Sequence, residues 1–135
     1  MLHMIALLVM LVHPPNPQLD CNLRYWQPRL GLNAWHVTIA LVPAAELEPN
    51  ALGQIDCSLL TKTAVIRILG ADDYDLPRRL TTADQQLTLL HELVHLHRRV
   101  LGEPGWQEET PTNQQTLALL YLYHRHQELA AIEHP

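Results

Sequence analysis

Residues 81–102 read TTADQQLTLLHELVHLHRRVLG, and this stretch decides the fold. Thr81 and Thr82 can each cap a helix, with an acidic or amide residue three positions later to complete a capping box. Gly102 suits the left-handed residue that commonly ends a helix. We therefore predict an α-helix over residues 81–101, and its many leucines predict that the helix is buried.

The motif HELVH, residues 91–95, lies in the middle of this predicted helix. His91 and His95 are one helical turn apart on one face, so both imidazoles can reach one metal ion. Glu92 places its carboxylate beside that ion, where a general base takes a proton from an activated water molecule. His97 points about 200° away from His95 and cannot join the site. The alternative is a pair of core histidines with hydrogen-bonded rings and a surface glutamate.

Zinc needs a third protein ligand, which the sequence must supply downstream of the motif. The metzincin continuation is absent, because Leu101 stands where its third histidine would be. Glu109 is the first choice, Glu108 the second and His124 the third. Each residue also has an explanation that involves no metal. The two glutamates could belong to a solvated acidic turn, and His124 could be a core or surface imidazole.

The choice of Glu109 depends on where the last helix begins. If that helix begins by Glu109, the carboxylate is in phase with inward-facing leucines, and Pro111 is tolerated in a first turn. Thr112 with Gln115 also forms a credible capping box. The sequence pattern predicts that the last helix covers roughly residues 112–132, and with that start both glutamates lie in the loop.

Three segments before the motif have the alternating or β-branched pattern of strands: residues 35–42, 54–58 and 63–69. Because short loops join them, residues 29–69 predict an antiparallel meander. We thus expect an α+β fold, in which a small antiparallel sheet of about three strands packs on the HExxH helix and a C-terminal helix. The 135 residues predict a single domain.

The first 18 residues form an N-terminal segment whose role the sequence leaves open. Residues 2–12 are almost entirely apolar, but they are too few to span a bilayer, which takes about 20 residues. They also lack the basic start and the cleavage site of a signal peptide. After a break rich in proline and asparagine, residues 19–27 predict two helical turns that end before Pro28.

Composition excludes several classes of protein. The chain is 47% hydrophobic and 17% charged, which argues against disorder, and its net charge of -5 argues against a nucleic-acid-coating protein. Its two cysteines, Cys21 and Cys57, are too few for a secreted disulfide scaffold, so we expect reduced thiols and a cytoplasmic location. Nine histidines favour a search for metal ligands.

The HELVHLH helix, preceded by RLGLNAW at residues 29–35 and by strands, resembles the minimal zincin metallopeptidases of the gluzincin type. The likeness covers roughly residues 29–121. It is strongest to small metallopeptidases encoded by phages and prophages, and more distant to ImmA/IrrE-like peptidases. The resemblance implies a zinc-dependent peptidase with His91 and His95 as ligands and Glu92 as catalytic residue. Its register also allows Asn113 to fall at the third ligand position.

The resemblance carries two further implications. The strand at residues 63–69, or its neighbour, is expected to be the sheet edge that holds an extended peptide substrate. A residue that stabilises the oxyanion is also expected, and Tyr74, Tyr121 and His124 are the candidates.

The function expected from the sequence is hydrolysis of peptide bonds, with one Zn²⁺ per chain and a protein or peptide as substrate. The alternative is a non-catalytic zinc-binding or interaction domain, such as a phage accessory protein that keeps the fold. A DNA-linked peptidase of the SprT-like kind is disfavoured by the acidic charge and the lack of a basic tail. We expect no nucleic-acid partner and no membrane anchor, and the oligomeric state stays open.

Overall fold

The computed structural model describes residues 16–70 and 81–133, and these form an α+β fold. In chain order the main elements are α1 (Pro17–Arg29), β1 (His36–Val42), β2 (Gly53–Ser58), β3 (Thr63–Leu69), α2 (Thr82–Val100) and α3 (Glu109–Glu133). The apolar segment at residues 2–12 and Tyr74 lie outside the described residues. Among the helices of the described part, none has both the length and the apolar character needed to cross a membrane.

The sheet is mixed, so the prediction of a purely antiparallel meander was wrong. The strand order is β1-β3-β2, with β3 parallel to β1 and antiparallel to β2. Residues 59–62 close a short hairpin between β2 and β3, whereas ten residues, 43–52, separate β1 from β2. That connection is long enough to carry the chain past one strand position, about 10 Å, so β3 can insert between the other two.

The central strand β3 is the most buried of the three. Ala64, Ile66 and Ile68 alternate onto one face, as the sequence predicted, and all three are buried. A strand that is paired on both sides and covered on one face buries more apolar surface than an edge strand does. The burial of β3 therefore agrees with its central position.

The HExxH helix α2 forms as the capping signals predicted. The backbone N–H of Thr81 donates to the Asp84 carboxylate at 2.9 Å, and the Asp84 N–H donates to the Thr81 hydroxyl at 3.2 Å. At the other end Gly102 has a φ of 78°, which is the left-handed conformation expected of a helix stop. α2 packs against α1, both neighbouring strands β2 and β3, and α3, so it is the central element of the core.

The two other helices differ from their predicted bounds. α1 starts after the cap Asn16 and runs through Pro28 to Arg29, so the predicted stop before Pro28 was wrong. Its buried residues Leu19 and Trp26 join the core around α2. α3 begins at Glu109, three residues before the predicted 112, and this earlier start brings the first turn of α3 to α2.

Candidate metal centre

His91 and His95 face each other on adjacent turns of α2. Their Nε2 atoms lie 3.2 Å apart, and the rings meet edge to face with centroids 4.8 Å apart. The ligand atoms of His91, Glu92 and His95 all lie within 4.8 Å of one another, so this cluster could hold a metal ion. The arrangement is compatible with the HExxH motif of zincins.

The backbone fixes the tautomer of His95. Its Nδ1 atom lies 2.7 Å from the carbonyl oxygen of Trp106, in the loop after α2. Because a carbonyl oxygen only accepts, Nδ1 must carry the hydrogen and donate it. Nε2 of the neutral ring therefore presents a lone pair to the site. This is the support that metal-ligating histidines usually receive from a carbonyl or carboxylate group.

The carboxylate of Glu109 spans both rings from the first residue of α3. Its Oε2 lies 2.8 Å from Nε2 of His91, and its Oε1 lies 3.0 Å from Nε2 of His95. A carboxylate oxygen and the His95 lone pair are both acceptors, so the close approach is stable only with a cation between them, either a proton or a metal ion. Zinc bonds of about 2.0–2.1 Å hold tetrahedral ligand atoms about 3.3 Å apart, so the donor set fits such an ion.

The other candidates for the third ligand occupy different places. The Glu108 carboxyl folds over Gly105, where a built Cβ would lie 2.9 Å from its oxygen. His124 is exposed, about 22 Å along α3 from Glu109. Asn113 lies one turn after Glu109, and its side chain acts to raise the pKa of His91. The structure thus brings Glu109 to both rings and leaves Glu108 and His124 away from them.

Glu92 is only 7% exposed, although it is a carboxylate at the wall of a cleft. Burial raises its pKa from 4.5 to about 7, and the charge of Glu109 adds to the shift. A carboxylate with a pKa near neutrality is suited to act as a general base.

His91 shifts in the direction that favours metal binding. Burial lowers its pKa, and the neighbouring His95 ring lowers it further, while Glu109 and Asn113 oppose the change. A lowered pKa keeps the imidazole neutral at physiological pH, which is the form that binds metals.

A half-open cleft of about 600 Å³ gives access to these groups. Its lining comes from the residues that lead into β2 and from the facing sides of α2 and α3: Asn50, Ala51, Leu52, Gly53, Leu87, Thr88, His91, Glu92, Glu109, Asn113, Thr116 and Leu117. β3 is paired on both sides, so of the strands expected at the sheet edge it is not the one. Its neighbours β1 and β2 are the edge strands, and the cleft lies at the start of β2.

Two of the three candidate oxyanion-stabilising residues, Tyr121 and His124, do not line the cleft. Tyr121 is 68% exposed and lies about 18 Å along α3 from Glu109, and His124 is farther still. Tyr74 is outside the described residues. Neither Tyr121 nor His124 is among the residues that line the cleft in the described part of the chain.

The sequence analysis did not identify the residues that support His91, His95 and Glu109. Trp106 supplies a carbonyl to His95, and Arg98 and Thr112 link α2 to the start of α3. Helical spacing contained a signal for Arg98, since it follows His91 by seven residues and His95 by three and therefore shares their face. Nothing in the sequence indicated the carbonyl of Trp106, because it is a backbone group in an irregular loop.

Comparison with known proteins returned no matching protein-family model, no matching curated protein and no matching solved structure. The site is therefore interpreted from its own geometry.

Proposed function

We propose that the protein is a zinc-dependent peptidase. One observation carries this proposal: Nε2 of His91, Nε2 of His95 and the Glu109 carboxylate converge within 2.8–3.2 Å of one another, beside a buried glutamate. Two histidines and a glutamate are a known ligand set of catalytic zinc, which keeps one coordination position open. The Glu109 side chain is 66% exposed, so solvent and substrate can approach the site from its side.

In this proposal His91, His95 and Glu109 hold the metal. When bound, a Zn²⁺ ion supplies Lewis acidity, which lowers the pKa of water to about 7 and polarises a substrate carbonyl. The carbonyl of Trp106 would keep the His95 lone pair directed toward a bound ion. Zinc is proposed because imidazole and carboxylate in a three-ligand set suit it.

Glu92 is the proposed general base. Its carboxylate takes a proton from the attacking water and later gives that proton to the leaving amine of the cleaved peptide bond. Burial supports this role, because it raises the pKa of Glu92 to about 7 in the metal-free protein and so favours proton uptake by this carboxylate. Glu109, which is far more exposed, suits the role of ligand.

The proposed substrate is an extended peptide with an apolar side chain near the cleaved bond. β2 is an edge strand, and strands at an edge can pair with an added peptide strand. Three exposed leucines border the cleft around the metal cluster: Leu52 before β2, Leu87 on α2 and Leu117 on α3. Together they form an apolar wall suited to a hydrophobic substrate residue.

The test is the Glu92→Gln variant, with Glu128→Gln, an exposed change on α3, as matched control. We expect both variants to bind one Zn²⁺ per chain by elemental analysis. The parent and Glu128→Gln should cleave a peptide library, as read by mass spectrometry, while Glu92→Gln should not. Retained cleavage by Glu92→Gln would overturn the mechanism. A parent that binds zinc and cleaves nothing is a non-catalytic metal-binding domain, and a parent whose stability is indifferent to zinc and chelators has structural histidines only.

A further inference from the structure

Arg98 is a buried cation one turn after His95. It is 5% exposed and belongs to the same face of α2 as the two histidines. An uncompensated guanidinium in such a place is strongly destabilising, so its partners are informative.

Its donors all point into the connection between α2 and α3. Nε donates to the Glu103 carboxylate at 2.6 Å, which supplies the compensating charge. The two terminal nitrogens donate to the carbonyl oxygens of Gly105 at 2.8 Å and Glu108 at 3.1 Å, and to the Thr112 hydroxyl at 2.7 Å. One planar side chain thus binds four points along residues 103–112, which a lysine with a single nitrogen cannot do.

Two components of the metal cluster lie within this same segment. The carbonyl of Trp106, which orients His95, lies between the Gly105 and Glu108 carbonyls that Arg98 holds. Glu109 directly follows Glu108, and Thr112 lies one turn later on α3. The Thr112 oxygen that accepts from Arg98 also lies 3.3 Å from Nδ1 of His95.

We propose that Arg98 is a positioning residue that holds residues 103–112 against α2, so that the Glu109 carboxylate meets the two histidines in the geometry that a metal ion requires. The proposal rests on the metal site proposed above. It predicts that the Arg98 guanidinium acts through Glu109: without Arg98, the two histidines stay on α2 but the carboxylate no longer reaches them consistently.

The experiment is a Co²⁺ titration of the full chain, followed by visible absorption and competed with a chelator of known affinity. Four proteins are compared: the parent, Arg98→Met, Glu109→Gln and the double variant. We expect Arg98→Met to bind Co²⁺ about 10–100-fold more weakly than the parent, the range typical of lost outer-shell support. The Co²⁺ spectrum of Arg98→Met should approach that of Glu109→Gln.

The double variant distinguishes positioning from a general loss of stability. If Arg98 acts through Glu109, the double variant binds Co²⁺ no more weakly than the weaker single variant, because the two changes remove one interaction. Arg125→Met, an exposed change on α3, is the control and should bind as the parent does. If circular dichroism shows that Arg98→Met does not fold, Arg98→Lys replaces it in the same cycle, with a smaller loss expected.

Three results would overturn the proposal. Parent-like affinity in both Arg98 variants would show that Arg98 does not position Glu109. Fold-losses that multiply in the double variant would show that Arg98 acts independently of it. A parent that binds neither Co²⁺ nor Zn²⁺ would refute the metal site itself, which is a separate failure visible before any variant is compared.

Discussion

Gly53, the first residue of β2, lies close to Thr88 and Glu92 of α2, and replacing it with alanine should destabilise the protein. A Cβ built at this position clashes with Cγ2 of Thr88, and it comes within 3.2 Å of the Arg67 carbonyl oxygen and 3.6 Å of Cγ of Glu92. Thr88 cannot turn away freely, because its hydroxyl donates to the Asp84 carbonyl at 2.9 Å. Relief of the clash therefore requires α2 and β2 to separate or the Thr88 rotamer to change.

The magnitude follows from two opposing effects. Gly53 does not have a positive φ, so alanine fits the backbone and should add about 0.5–1 kcal/mol by restricting the unfolded chain. Overpacking a rigid contact costs about 1–3 kcal/mol. The net expectation is a loss of about 1–2 kcal/mol in the free energy of unfolding. If α2 moves away from β2, the turn that carries Glu92 is displaced together with Thr88.

Urea unfolding of the parent, Gly53→Ala, Thr88→Ser and the double variant provides the assay. Thr88→Ser keeps the hydroxyl and removes the methyl group that the new Cβ meets, at a cost of about 1 kcal/mol for one lost methyl. The double variant should then be more stable than the sum of the two single losses implies. Equal stability of Gly53→Ala and the parent, or strict additivity in the double variant, would refute the proposed contact.

Two further predictions concern the cleft. In the metal-free protein the pKa of Glu92 is raised, so the folded state favours the protonated form of this side chain. Ionisation of Glu92 therefore lowers the free energy of unfolding. This loss is absent below pH 4.5, grows as the pH rises to about 7, and then levels at about 3 kcal/mol. Urea unfolding in the presence of a chelator should show that the stability of Glu92→Gln relative to the parent increases over this pH interval. A stability difference that does not change with pH would contradict the raised pKa of Glu92. Leu87→Ser should reduce cleavage of peptides with an apolar residue at the cleaved bond several-fold without changing the zinc content. An unchanged preference in a peptide library would show that the leucine wall does not select substrates.

The helix that carries the motif was predictable because its signals are local. The reciprocal bonds of Thr81 and Asp84 and the left-handed Gly102 involve residues within one turn of each helix end. The position of His91 and His95 on one face follows from helical geometry alone. These parts of the fold and the site depend on no distant contact.

The sheet order was not predictable in the same way. Alternation in a strand identifies which side chains share a face, but it does not identify the strand beside it. β3 takes the central position, and its Ile66 and Ile68 are fully buried. The long connection after β1 makes this strand order possible. That choice depends on the total apolar surface buried by the fold, which short-range patterns do not report.

The start of α3 was ambiguous for a related reason. Thr112 has the sequence signature of a cap, yet its hydroxyl donates to the Glu108 carbonyl and accepts from Arg98, fourteen residues away. The guanidinium thereby occupies the oxygen that would otherwise cap a helix at this position. A contact between distant residues decides that the helix begins at Glu109, and with it which carboxylate faces the histidines.

The two glutamates of the cluster show how one residue type can serve two proposed roles. Glu92 and Glu109 lie on different helices, and the first is 7% exposed whereas the Glu109 side chain is 66% exposed. Burial and the negative charge of Glu109 together raise the pKa of Glu92 from 4.5 to about 7. Proton transfer prefers a carboxylate with a pKa near neutrality, and an exposed carboxylate is open to a metal ion and to solvent. The difference in burial thus supports the proposal that Glu109 is the metal ligand and Glu92 the general base.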